Sequence, residues 1–429
     1  MTSKPPRRPR HLHLSTRSKW LITVASILAM AWIFFDHTGI RYALDVNVYR
    51  LGAQRLLDGQ PLYEGSFPIN EDISLPFTYP PISAILFVPL TLFGPLSVSI
   101  AMNFVNIALL YGTVWFLLRR LGNLDRTSAS WVAAGLAAVL SLIGPIVSTL
   151  NFGQVNMLLA AMILADALLV PRKFRGLLTG FATALKLTPA VFGLWLLLRK
   201  DWASIVRMGI GTLGLTAIAH LITPRDSADY WLHTLAETER IGGLGYSSNQ
   251  SLNGELWRLG LRTEDAGSVV WIALVLVALA ATVALMLRLL RAGQPLLALC
   301  VNAFFGLLAS PVSWAHHFVW VPIFLLVLGL LAWRQRVETP ASSAVAERFT
   351  WNIAQRRVWM CLSIMGVLCF ALIPTAYTPS TGNVELEWNL GWHIIGNAYL
   401  WWTLAAYPAL WFLFSPPARR HQPAPSGHR

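Results

Sequence analysis

The sequence predicts an all-α membrane protein with many spans, and three observations carry that expectation. Of its 429 residues 55% are hydrophobic and only 12% are charged. Apolar runs recur from one end to the other, and about 20 apolar residues suffice for a helix to cross hydrocarbon. Lys and Arg collect after alternate runs, which is how cytoplasmic loops are marked. In a soluble protein a net charge of +13 would suggest nucleic acid as a partner. Here the charge is explained by its placement along the chain, and no nucleic-acid partner is expected.

The first run, from Trp20, follows a basic, proline-rich start containing Lys4, Arg7, Arg8, Arg10, Arg17 and Lys19. No small-residue cleavage site comes after it, since Asp36, His37 and Ile40 are next, so it reads as a retained span rather than a signal peptide. Full spans are expected at 20–36, 97–118, 129–147, 153–170, 203–222, 269–288, 295–313, 317–333, 358–374 and 394–414. Ten crossings place both termini in the cytoplasm, with residues 20–414 forming one transmembrane domain between two disordered tails, 1–19 and 415–429. The outer loops are then 37–96, 223–268 and 375–393. Only seven of the 33 Lys and Arg residues (Arg41, Arg50, Arg55, Arg225, Arg240, Arg258 and Arg262) fall on the outer side, and Lys186 lies within the membrane. Acidic residues show the opposite bias: Asp45, Asp58, Glu64, Glu71, Asp72, Asp226, Asp229, Glu237, Glu239, Glu255, Glu385 and Glu387 are all outer. The outer face is therefore the chemically furnished one.

Two segments depart from simple crossing. The stretch "YPPISAILFVPLTLFG" at 79–94 is too short and too punctuated by proline to span, and is expected to lie at the interface or to dip in and return. In "PRKFRGLLTGFATALKLTPAVFGLWLLLRK", basic residues flank both ends and Pro189 interrupts the middle. Two half-helices meeting near Lys186 satisfy the charge rule at both ends.

Several chemistries are disfavoured. Cys300, Cys361 and Cys369 lie in apolar runs without CxxC spacing, which implies neither a disulfide framework nor a metal site. There is no Walker loop, no dinucleotide fingerprint and no DxD pair, so a nucleotide-using enzyme is not expected. No cofactor is expected either.

Five polar clusters occur at or near the outer ends of spans: Asp45 with Tyr49 and Arg50; "NFGQVN" with Asn151, Gln154 and Asn156; "LKLTP" with Lys186; "SSNQSLNGELWR" with Asn249, Gln250, Ser251 and Arg258; and "SPVSWAHH" with His316 and His317. Asp45, just beyond the first span, can serve as a general base on a hydroxyl if Arg41 and Arg50 keep it ionised. It can equally be a solvated loop residue or a helix N-cap. Lys186 at membrane depth costs about 3 kcal/mol unless paired or hydrated; it is either the partner of an anion or a residue that snorkels to the interface. One of His316 and His317 can donate to a phosphate oxygen or orient a hydroxyl, but their adjacent spacing is wrong for a metal. The Asn, Gln and Ser side chains suit sugar hydroxyls and loop capping equally. Asp166, near the cytoplasmic end of its span, reads as structural.

Taken in order, "DVNVYRLGAQRLLDGQPLY", "FTYPPISAILFVPL", "NFGQVNMLL", "GFATALKLTPAVF", "NQSLNGELWR" and "SPVSWAHHFVW" resemble the signature segments of glycosyltransferase family 87. That family comprises polyprenyl-phosphate-mannose-dependent α-1,2-mannosyltransferases of the actinobacterial envelope, with a GT-C type fold. The resemblance covers about residues 40–335. It implies mannose transfer from polyprenyl-phosphate-mannose to a phosphatidylinositol mannoside or lipomannan-type glycolipid acceptor, at the outer face of the plasma membrane and among its lipids. By the same resemblance the essential aspartate falls on Asp45, whereas Asp58 in "LLDG" falls where only the glycine is required. The expected mechanism is metal-independent inversion: Asp45 takes the proton of a 2-hydroxyl as it attacks, and the leaving phosphate is met by Lys186 and one of the two histidines, with Arg258 in reserve. Tyr49, Arg50, Tyr79, Asn151, Gln154, Asn156, Asn249, Gln250 and Ser251 complete the expected substrate contacts. Arabinofuranose from a polyprenyl-phosphate donor is the alternative sugar. A lipid or sugar transporter would instead require matched inverted halves with charges along a path, which the sequence does not display. No protein partner is implied.

Overall fold

The computed structural model describes residues 10–35, 43–71, 73–261, 267–337, 351–380 and 382–415. Arg41, Asp36 and His37, Arg262 and most of both tails lie outside these residues. The described chain is almost wholly helical; the only sheet in it is a two-stranded antiparallel pair, β1 (Phe67–Pro68) with β2 (Ser74–Leu75). In order, the helices are α1 (Thr16–Phe35), α2 (Leu44–Leu57), α3 (Pro81–Phe87), α4 (Pro95–Arg120), α5 (Arg126–Leu140), α6 (Gly144–Phe152), α7 (Asn156–Leu168), α8 (Leu177–Leu185), α9 (Gly193–Leu198), α10 (Trp202–Ile222), α11 (Pro224–Leu232), α12 (Leu252–Arg258), α13 (Gly267–Arg291), α14 (Pro295–Ala309), α15 (Trp320–Val337), α16 (Ile353–Leu372), α17 (Leu390–Gly396) and α18 (Ala398–Leu413).

Six described helices are long and apolar enough to cross a membrane, or seven crossings if the bent pair α5–α6 is one span. The protein is thus an all-α polytopic membrane protein. α1, α10, α13 and α16 turn large apolar side chains outward, among them Trp20, Leu213, Val277 and Met365. Such faces are stable only against lipid or another apolar surface. α14 and α15 are by contrast enclosed and form the centre of the large core.

Several of the ten expected spans take other forms. The expected 129–147 span turns by 80° between α5 and α6, because Pro145 opens a new helix after the extended Ile143 and cannot continue the old one. At 153–170, 295–313 and 394–414 the chain forms α7, α14 and α18, of 13, 15 and 16 residues. A helix walled by protein whose ends meet polar segments has no need to traverse the full hydrocarbon depth. The 79–94 segment is short helix α3 followed by a 3-10 turn, Val88–Leu92, as its prolines suggested.

The segment around Lys186 is broken as the sequence implied. α8 ends at Leu185, Lys186 is extended, and a 3-10 turn, Thr188–Phe192, leads into α9. A break at this depth frees backbone carbonyls that need donors. The Ser83 hydroxyl donates to the carbonyl of Leu185 at 2.6 Å, and the Asn302 amide donates to that of Val191 at 3.0 Å. α8 is held by close packing on α10: a Cβ on Gly180 would lie 2.4 Å from the Met208 carbonyl oxygen. Thr212 donates to the Gly180 carbonyl at 3.1 Å across the same contact. At the start of α8, Asp166 accepts from the Gly176 and Thr179 backbone N–H groups and from the Thr179 hydroxyl, which is the structural role its position suggested.

The three expected outer loops form one layer. Asp226 accepts from the Leu62 N–H at 2.8 Å, Arg240 donates to the Tyr63 carbonyl, and Ser247 N–H donates to Glu385. Beneath this layer a second core, with Val46, Tyr49, Phe77, Tyr79, Phe87, Leu159 and Leu185, joins α2 and α3 to the bundle.

Candidate active site

Four of the five polar clusters meet around one cleft of about 1120 Å³, lined by Asp45, Tyr79, Gln154, Lys186, Thr188, Ser310, Trp314, His316 and His317 among others. Each residue reaches it for a local reason. Asp45 lies in the first turn of α2, whose cap position is taken by Ala43 without a side-chain bond, so Asp45 is not an N-cap. Tyr49 follows one turn later on the same face. The turn between α6 and α7 brings Gln154 beneath them. It passes through Gly153 at φ +64, where a Cβ would lie 2.7 Å from Val46; only glycine permits both the left-handed conformation and that approach.

A continuous network links these groups. The Tyr49 hydroxyl donates to Gln154 Oε1 at 3.0 Å and lies 2.8 Å from the Tyr79 hydroxyl. Lys186 Nζ donates to the Tyr79 hydroxyl at 3.1 Å and to Asn156 Oδ1 at 3.2 Å, and sits 5.1 Å over the Tyr79 ring. Asn156 in turn donates to the His316 carbonyl at 3.0 Å.

Asp45 is half-buried, with its carboxyl toward the cleft. Burial pushes its pKa up to about 6, against a hydrogen bond from Gln154 and the charge of Lys186. The cation that moderates it is therefore Lys186 rather than Arg50, as the sequence had suggested. Arg50 does not line the cleft, and among the described residues its buried Nε has no partner; Arg41 lies outside the described residues.

The two histidines are not equivalent. The Trp314 N–H points at His317 Nδ1 at 3.1 Å. A backbone N–H only donates, so Nδ1 is the acceptor and a neutral ring carries its proton on Nε2. That Nε2 lies 3.5 Å from Lys186 Nζ, which is also a donor and has spent two of its three hydrogens on Tyr79 and Asn156. Two N–H donors thus converge on the cleft without an acceptor between them, an arrangement suited to an anion. His316 also lines the cleft, but its Nδ1 lies 3.5 Å from Ser148 and its ring packs edge-on to Phe152.

The fourth cluster does not reach the cleft. Arg258 has a fully buried side chain and donates through Nε to Glu255, through Nη1 to the Gly245 and Tyr246 carbonyls, and through Nη2 to the Asn249 carbonyl and Asn397 Oδ1. All five of its donors are taken, so the reserve role of binding phosphate is not open to it. Asn249, Gln250 and Ser251 instead brace the segment that carries the histidines. Asn249 Oδ1 accepts from Ser313 N–H at 2.9 Å, Gln250 N–H donates to the Ser313 carbonyl at 2.8 Å, and the Ser251 hydroxyl donates to the Pro311 carbonyl at 3.1 Å. Asn151, at the end of α6, does not line the cleft. Asp58 closes α2 and accepts from Gln54 at 2.9 Å, ahead of Gly59 at φ +67, which makes it a turn residue.

The cleft also has walls that sequence reasoning passed over: Tyr230, Thr234, Glu237 and Arg240 from the α11 side. Arg240 and Glu237, 3.2 Å apart, had registered only as outer-loop charges, and nothing in their spacing marked them. Among the described residues no group of three or more His, Cys, Asp or Glu side chains is arranged to hold a metal.

Comparison with known proteins gives this cleft a context. The family model for glycosyltransferase family 87 matches residues 77–311. A Mycobacterium tuberculosis protein named polyprenol-phosphate-mannose-dependent alpha-(1-2)-phosphatidylinositol mannoside mannosyltransferase is 35% identical over 402 residues, covering 90% of this chain and 88% of that protein. A Mycolicibacterium smegmatis protein of the same name is 34% identical, over 92% of this chain and 90% of its own. Another from that organism, named as the corresponding phosphatidylinositol pentamannoside mannosyltransferase, is 31% identical, with 96% and 95% covered. No solved structure matches the chain. With most of its length aligned to such relatives, the chain belongs to glycosyltransferase family 87 and is a membrane glycosyltransferase.

Proposed function

We propose that the protein transfers mannose from polyprenyl-phosphate-mannose to a 2-hydroxyl of a phosphatidylinositol mannoside, forming an α-1,2 linkage with inversion. The observation that carries this reading is the opposition of Asp45 to the paired donors Lys186 and His317 across one cleft. The names of the relatives support the donor, the linkage and the acceptor class.

In this reading the acceptor hydroxyl gives its proton to Asp45 as its oxygen attacks the anomeric carbon of a β-mannosyl phosphate, and the carbon–oxygen bond to phosphate breaks on the opposite face. The departing phosphate gains negative charge, which the Lys186 ammonium and the His317 Nε2–H stabilise without a metal ion. Tyr79 and Asn156 aim the ammonium; Tyr49 and Gln154 set the environment of the base. The cleft opens on the outer face of the plasma membrane, with both chain termini in the cytoplasm, in keeping with the Lys and Arg asymmetry.

The test is transfer of radiolabelled mannose in membranes containing the protein. Polyprenyl-phosphate-mannose should label a phosphatidylinositol mannoside, with the product sensitive to an α-1,2-mannosidase. Equal labelling from GDP-mannose when synthesis of the lipid donor is blocked would overturn the reading.

A further inference from the structure

On the side of the bundle away from the cleft, the start of the described chain is pinned to the turn between α4 and α5. The Arg10 N–H donates to the Asn123 carbonyl at 2.8 Å, the Asp125 N–H donates to the Arg10 carbonyl at 2.9 Å, and the Leu12 N–H donates to the Ser128 hydroxyl at 2.9 Å. These bonds hold the Arg10 guanidinium over the Trp333 ring, 5.2 Å from its centroid. Among the described residues its Nη1 is buried and has no hydrogen-bond partner, which is costly for a charged group unless an anion completes it. Trp333 is also a wall of an apolar cavity of about 1110 Å³ between α4, α5, α15 and α16, with Leu118, Leu136, Leu326 and Gly329 among its other walls. Along α15 the walls run from Pro322 to Trp333, about 16 Å at the helical rise and so about one leaflet of hydrocarbon. Val139 and Val367 line the cavity and are exposed, so it opens sideways to lipid.

We infer that this cavity binds an anionic phospholipid of the leaflet opposite the cleft, with the lipid phosphate on Arg10 and one acyl chain between α5 and α15. Charge and polarity choose that occupant. The buried Nη1 calls for an anion at the mouth and the walls beyond it call for hydrocarbon, and an amphiphile with a negative headgroup supplies both. The donor and acceptor of the transfer reaction do not fit, because their reacting groups must meet at Asp45, Lys186 and His317, and the cavity shares no wall with that cleft. There is open room for the chain at Gly329, where a Cβ would meet no atom within 4 Å. A lipid seated here bridges the Arg10 segment, α4, α5, α15 and α16, and so braces α15 from the end away from His317. The inference does not depend on the proposed function.

The experiment titrates the full chain, purified in detergent, with phosphatidylglycerol or phosphatidylcholine of equal chain length and counts bound lipid by native mass spectrometry. Wild type should hold one phosphatidylglycerol more tightly than phosphatidylcholine. Arg10→Gln should lower that preference about fivefold, the effect of one basic side chain beside an anionic lipid. Gly329→Leu, which puts a side chain into the open span, should weaken phosphatidylglycerol binding about tenfold by excluding methylenes from apolar contact. Because either variant can fail to fold, wild-type protein is also photolabelled with phosphatidylglycerol carrying a diazirine midway along one acyl chain. Label on peptides containing residues 132–140, 322–329 or 367–370, which hold the cavity walls, supports the site. Equal binding of the two lipids by wild type, an unchanged preference in folded Arg10→Gln, or an unchanged affinity in folded Gly329→Leu would overturn it. So would label concentrated on the outward faces of α1, α10 and α13, or displacement of the bound lipid by polyprenyl phosphate at a lower concentration than by phosphatidylglycerol.

Discussion

Two buried polar regions of this protein look alike in sequence and behave oppositely in space. One is the cleft network of Asp45, Tyr79, Gln154, Lys186 and His317; the other is the network of Asn249, Gln250, Glu255, Arg258 and Asn397. In the second, each charged or amide group is matched by a protein partner: Arg258 uses all its donors, and Asn397 and His393 both reach Glu255. In the first, two N–H donors meet 3.5 Å apart and a carboxyl is held at a raised pKa. Saturation, rather than polarity, separates a brace from a reaction site.

Asp45→Asn breaks the comparison most sharply. It removes the proposed base while keeping size and shape, and should lower the rate of mannosyl transfer by about a hundred- to ten-thousandfold with the melting temperature in detergent unchanged. Lys186→Met should follow, at about a hundred- to a thousandfold in kcat, since a donor to a developing phosphate charge is lost. Arg258→Met should do the reverse. It strands Glu255 and the carbonyls around it, so thermal unfolding should show about 3 kcal/mol or more of destabilisation, while activity per folded molecule falls far less than in the cleft variants. Burial draws the Arg258 pKa down to about 10, with Glu255 and Glu385 opposing the shift, so the group stays charged at neutral pH and its loss is the loss of a charge. A rate defect in Arg258→Met as large as that of Lys186→Met, at unchanged stability, would erase the distinction.

Much of the fold was legible because the bilayer is a simple solvent. Apolar length and Lys and Arg placement identified an all-α polytopic protein, and Pro189 beside a lone intramembrane lysine predicted the break at Lys186. The expected spans that proved short or bent, such as α7, α14 and the α5–α6 pair, were not legible, since hydropathy does not report whether a helix is walled by protein or by lipid. Asp45, Tyr79, Gln154 and Lys186 could be singled out in sequence, but their pairing could not: Lys186 reaches Tyr79 across 107 positions. The "NQSLNGELWR" cluster resembled a ligand site because buried bracing and substrate recognition draw on the same side chains. Only the geometry distinguishes them.

The central claim, that Asp45 and Lys186 act as an electrostatically coupled pair across the cleft, is tested most directly by the pH dependence of kcat/KM for the donor. The working form of the base is the carboxylate, so in wild type the rate should rise with pH through about 6. Removing the neighbouring positive charge raises a carboxyl pKa, so the acid limb of the residual activity of Lys186→Met should shift to higher pH. An acid limb at the same pH in both proteins, or a wild-type rate that does not fall below about pH 6, would contradict the account.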